Sequence, residues 1–101
     1  MSNQIPKSNA SSCLHEAVSI VEGSRAAEYG DQRTNFAKYG RIATEMLDSA
    51  ELEELKRGQI PASVVAKILM SVKIGRHAFR PKRDNIVDLL GYGSILHEIQ
   101  E

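Results

Sequence analysis

Apolar residues in this chain recur every three or four positions and nowhere alternate one by one, which restricts the fold to helices packed on helices. Four stripes carry the pattern. Leu14, Ala17, Val18 and Val21 form the first, and Phe36, Tyr39, Ala43, Met46 and Leu47 the second. Val64, Val65, Ile68, Leu69, Val72 and Ile74 make the third and most apolar stripe, expected to be central. Ile86, Val87, Leu89, Leu90, Ile95, Leu96 and Ile99 complete the set.

Punctuation residues bound each stripe. Ser11 or Ser12 is placed to cap a first helix over 12–22, and Gly23 to stop it. A connector with Arg25, Tyr29 and Gly30 follows, and Asp31 or Gln32 opens the second helix. Gly40 interrupts that stripe at a cost of roughly 1 kcal/mol relative to Ala, which predicts a close neighbour on that face. Residues 48–58 turn from acidic to basic and read as a short solvated helix ending at Gly58. Pro61 suits the first turn of the third long helix. Arg80–Pro81 ends it, because the residue before proline disfavours the helical region. Asp84 begins the last. The expected fold is all-α and four-helix bundle-like: a flexible tail over 1–10, then one domain over 11–101.

With 101 residues the core is small, so self-association would help to bury its apolar surface. Thirteen Lys+Arg balance thirteen Asp+Glu, which argues against a DNA or RNA duplex as partner and against a polybasic membrane anchor. The single cysteine, Cys13, excludes an internal disulfide framework. No apolar run approaches the ~20 residues that a bilayer requires, and Met1–Ser12 lacks the apolar stretch of a secretory leader. A cytoplasmic location is expected. His15, His77 and His97 are too scattered for a zinc pair, and no Gly-x-Ser-x-Gly, phosphate-loop or dinucleotide fingerprint occurs.

Several polar residues are not explained by a core. Lys73 and Arg76 share a helical face and precede the most basic stretch of the chain, Arg80, Lys82 and Arg83. They read either as snorkelling cations, with Lys67, or as a clamp for a phosphate. Asp84 and Asp88 share a face of the last helix. Asp84 suits a capping role, whereas Asp88 lies between Val87 and Leu89 and needs a cation such as Lys73 or Arg76. Gly91 and Gly93 flank Tyr92 in mid-helix, which points to close packing or to room for a ring. Tyr29, Arg25 and Asn35 complete the set.

Glu22-Gly23-Ser24-Arg25, Tyr29-Gly30, Asn35-Phe36, Lys73-x-x-Arg76 and Asp84-x-x-x-Asp88-x-x-Gly91-Tyr92 occur in that order. Over residues 14–98 they resemble a family of small bacteriophage proteins that read Gly-Asp-Arg, Tyr-Gly, Asn-Phe, Lys-x-x-Arg and Asp-x-x-x-Asp-x-x-Gly-Tyr. Ser24 departs from the aspartate there. That family is in turn distantly similar to the all-α MazG-type nucleoside triphosphate pyrophosphohydrolases, which hold magnesium on Glu-x-x-Glu and Glu-x-x-Asp pairs. Glu16 and Glu22 are too far apart to form the first pair, and Glu51 and Glu54 lie in a surface-like acidic segment. Asp84 and Asp88 alone stand for the second.

The resemblance implies a MazG-like helical protein, completed as a homo-oligomer, with a nucleotide-sized pocket. The leading expectation is non-catalytic sequestration of a phosphorylated signalling nucleotide, a phage anti-defence role in the bacterial host cytoplasm, with no cofactor. Lys73, Arg76 and Arg25 would hold phosphates, Tyr29 and Tyr92 would wall the base, and Asn35, Asp84 and Asp88 would read hydroxyls or base edges. Two alternatives stay open: a magnesium-dependent pyrophosphohydrolase with metal on Asp84 and Asp88, and a structural or protein-interaction bundle.

Overall fold

Most breaks in the sequence pattern become helix ends in the computed structural model, which describes residues 9–23 and 30–101. Among these residues there are five helices and no strand: α1 (Asn9–Glu22), α2 (Gln32–Met46), α3 (Ser49–Lys56), α4 (Ala62–Phe79) and α5 (Arg83–Gln100). None is long and apolar enough to cross a membrane.

The chain divides into two units, Met1–Gly30 and Asp31–Glu101. In the first, α1 begins at Asn9 rather than at the expected position 12, so Ser11 and Ser12 lie inside the helix instead of capping it. Its end after Glu22 agrees with Gly23 as the stop. Leu14, Val18 and Val21 are 67%, 51% and 48% exposed.

In the second unit the caps follow the sequence closely. Asp31 caps α2, its Oδ2 accepting from the Thr34 amide at 2.9 Å and from the Thr34 hydroxyl at 2.7 Å. Those two bonds hold its carboxyl below the usual range. Asp48 and Glu51 form a reciprocal capping box at the start of α3. Gly58 then takes a left-handed φ of 83° that other residues rarely adopt. Pro61 precedes α4, and its carbonyl accepts from the Val64 and Val65 amides. Arg80 is extended at φ −146°, ψ 104°, as a residue before proline should be. At α5 the cap position falls on Lys82, and Asp84 lies exposed within the first turn. Asp84 therefore favours the positive helix end without acting as the cap.

Helix α4 is central, packing against both α2 and α5. The apolar core is smaller than the stripes suggested. Among the described residues Tyr39, Val64 and Ala66 are the buried hydrophobic ones, whereas Phe36 is 65% and Leu90 68% exposed. The reason lies in α4, where Lys67, Ser71 and Gly75 recur every four residues and are all buried. Small and polar groups thus occupy the inner face, and the branched aliphatics flank it.

Gly40 is not the site of close helix approach that its place in the stripe predicted. It is exposed, and a Cβ there would meet nothing. The tight contact is at Gly75, where a Cβ would lie 2.5 Å from Cδ1 and Cε1 of the buried Tyr39 ring. Gly91 and Gly93 likewise have room: a Cβ at Gly91 would meet nothing, and one at Gly93 would come within 3.7 Å of Met70 Cε, an ordinary contact.

Candidate functional site

The polar residues of α4 and α5 meet where the two helices pack. Asp88 lies among apolar neighbours and turns toward α4, where Lys73 Nζ stands 2.9 Å from its Oδ2. This is the pairing that the sequence demanded of Asp88. The Lys73 side chain is 18% exposed and that of Asp88 46%, so the pair opens to solvent on the carboxylate side. An ion pair so exposed contributes at most about 1 kcal/mol, and exchanging either partner for a ligand group costs little.

Helical spacing sets the surroundings of the pair. Arg76 lies one turn beyond Lys73 on α4, and Tyr92 one turn beyond Asp88 on α5. A groove of about 320 Å³ runs on from there between the helices, lined by Val65, Leu69, Tyr92, Ile95 and Ile99 among others. Leu69 is one turn before Lys73, so the apolar groove adjoins the charged pair. Such a place offers a cation for an anion, a carboxylate for a hydroxyl, and an apolar wall with a phenol ring.

The remaining candidates are less closely gathered. Asn35 is buried on α2, one turn before Tyr39. Asp84, Arg80 and Arg83 are exposed. His77 holds the basic turn in shape, with Nδ1 3.1 Å from both the amide nitrogen and the carbonyl oxygen of Lys82. A bare Nδ1 accepts from that amide, and a protonated one donates to that carbonyl. Arg25 and Tyr29 lie outside the described residues.

Two features escaped the sequence reading. The first is Asn85, only 4% exposed, whose Nδ2 is buried without a hydrogen-bond partner. Its register was the available signal, since 85, 88 and 92 fall on one face of α5 at i, i+3 and i+7.

The second is a buried polar latch between α3 and α4. Glu51 Oε1 accepts from Lys67 Nζ at 2.5 Å and from the Asp48 amide at 2.9 Å, while Oε2 accepts from the Ser63 hydroxyl at 2.6 Å. Burial pushes the Glu51 carboxyl up, but the Lys67 ammonium, the Ser63 hydroxyl and the Asp48 amide outweigh it and hold it below its ordinary value. Two expectations are corrected here. Lys67 does not snorkel to solvent but is buried, and Glu51 is not a surface carboxylate. Glu54, its partner in the hydrolase-like spacing, is committed to Arg57 on the outside of α3. Among the described residues no three His, Cys, Asp or Glu side chains gather as a metal site.

No curated protein and no solved structure matches this chain. One family profile does, that of a domain of unknown function, DUF6378, over residues 12–100. It covers all five helices except the first three residues of α1, and the chain belongs to the DUF6378 family.

Proposed function

We propose that this protein binds a phosphorylated nucleotide and holds it without turning it over. The observation that carries the reading is the Lys73–Asp88 pair, 2.9 Å apart, open on one side and set beside an apolar groove. Binding would draw Lys73 from Asp88 onto a phosphate oxygen, with Arg76 adding a second charged donor. The released Asp88 would accept from a sugar hydroxyl, and Tyr92 would wall the base. Asn35 and Asp84 would add further contacts from the same unit. Each charged hydrogen bond to phosphate contributes roughly 1.5–3 kcal/mol, so two or three give useful affinity.

The finer reading keeps the resemblance stated above. The protein would be a MazG-like helical bundle completed by a second copy. In a phage setting it would act in the host cytoplasm by sequestering a signalling nucleotide. The hydrolase alternative needs magnesium on Asp84 and Asp88 with further carboxylates. Of the other described candidates, Glu51 is already bonded to Lys67, and Glu54 to Arg57.

The test is incubation with nucleotide panels and magnesium, then chromatography before and after heat denaturation. Intact ligand released only on denaturation supports the proposal. Monophosphate and pyrophosphate in the supernatant would establish the hydrolase instead. Neither product nor retained ligand would leave the protein-interaction reading. Arg76→Ala and Lys73→Ala should each lose retention while keeping their helicity.

A further inference from the structure

We infer that the open face shared by α4 and α5 is the contact surface between two copies of this chain. The face takes in Arg76, Asp88, Tyr92 and the apolar groove of the nucleotide reading, so the inference rests on that same site; the mass of the nucleotide-free chain tests it separately. Two stripes compose the face. On α4, Val65, Leu69, Val72 and Arg76 follow one another at intervals of four, three and four; on α5, Asp88, Tyr92, Ile95 and Ile99 repeat those intervals. That spacing makes a continuous seam along a helix that packs in a bundle. The Lys73–Asp88 contact and the groove joining Val65 to Ile99 show that the two helices run antiparallel. The polar members of both stripes therefore lie at one end and the apolar members at the other.

Within the unit 31–101 the apolar end is uncovered. Val65, Leu69, Ile95 and Ile99 are 48%, 39%, 48% and 42% exposed. Within 31–101 nothing is left to cover them, because α2 and α3 hold α4 through Tyr39 and Glu51 on its inner face of Lys67, Ser71 and Gly75. A unit whose buried apolar residues are Tyr39, Val64 and Ala66 also gains buried apolar surface from a further partner.

A second copy fits this face better than an unrelated protein, because the face is complementary to itself. A twofold axis parallel to the helices sets each α4 stripe against the α5 stripe of the other copy. Apolar positions then meet apolar positions, and the basic end of one stripe meets the acidic end of the other. The area suffices as well. Two helices of 18 residues side by side present a face of roughly 27 by 20 Å, on the order of 500 Å² in projection. Its side-chain ridges raise that toward the ~800 Å² that a standard interface takes from each partner.

The experiment is size-exclusion chromatography with light scattering on the full chain over a dilution series. Twice the protomer mass of 11.2 kDa is expected. Leu69→Glu and Ile95→Glu should each yield the protomer mass with helical circular dichroism retained, whereas Phe36→Glu on α2 should leave the dimer intact. Should Leu69→Glu lose its helicity, Ile99→Lys in the last turn of α5 gives the same reading: a folded protomer supports the interface and a dimer overturns it. Protomer mass for the unaltered chain at every concentration overturns the proposal. So does a dimer that survives both substitutions, or one lost only on Val18→Glu, which would assign the contact to α1.

Discussion

Replacing Lys67 by Met removes the cation from a carboxylate whose side chain is 5% exposed and leaves the rest of the chain untouched. Deleting one partner of a buried pair costs about 3–5 kcal/mol, because the remaining charge is buried without compensation. Glu51 keeps the Ser63 hydroxyl and the Asp48 amide, so the lower end, about 3 kcal/mol, is expected. Against a total stability of roughly 5 kcal/mol for a small domain, that is a large loss. Urea unfolding followed by far-UV circular dichroism measures it at neutral pH. Adding Glu51→Gln should recover part of the loss, giving a coupling of at least about 1 kcal/mol. The effect also has a defined pH dependence. The carboxyl of Glu51 is held below its ordinary value of 4.5, so its contribution is present above that value and fades as pH falls through it toward the folded-state value. Without Lys67 the effect of burial is less opposed and the carboxyl rises, so acidification relieves the variant. The two proteins should converge in stability under acid. A loss below about 1 kcal/mol, strict additivity in the double variant, or a gap that widens on acidification would refute the reasoning.

Gly75→Ala should destabilise by up to about 2 kcal/mol, since crowding the Tyr39 ring costs roughly 1–3 kcal/mol and the helix-propensity gain returns about 1. Gly40→Ala meets nothing and should stabilise by up to about 1 kcal/mol; thermal melts of the pair should therefore shift in opposite directions. Asp88→Asn should change stability by no more than about 1 kcal/mol while altering nucleotide retention, which separates a binding role from a structural one. Asp48→Ala should cost about 1 kcal/mol through loss of the α3 cap, read in the same urea titrations.

Much of the architecture was legible because helix ends are written in local chemistry. Asp31, Gly58, Pro61 and Arg80–Pro81 each act on the backbone within a few residues, and each lies at the boundary it predicted. The central place of α4 followed from its apolar content, and the Lys73–Asp88 pair from the cost of an unpaired carboxylate among aliphatics. The inner face of α4 was not legible in the same way. Lys67, Ser71 and Gly75 are buried because their partners, Glu51 on α3 and Tyr39 on α2, come from elsewhere in the sequence. A stripe of small and polar residues looks like a solvated face until its complement is found. Gly40 misled for the converse reason: its neighbours in the stripe are apolar, yet the helix turns that position outward. Asn85 was passed over beside Asp84, although it shares its face with Asp88 and Tyr92.

The aromatic ring of Tyr39, seated against the bare backbone of Gly75, works as a locating pin between two rods. With so few apolar side chains wedged between α2 and α4, greasy contact alone would let one rod slide along the other by a full turn, about 5.4 Å, at little penalty. The notch forbids that slippage, because the positions a turn away on α4, Ser71 and Phe79, carry side chains where the ring would have to sit. Alignment of this pair thus depends on a missing methyl group, and homologous designs built on this scaffold could exchange many greasy residues but not that gap.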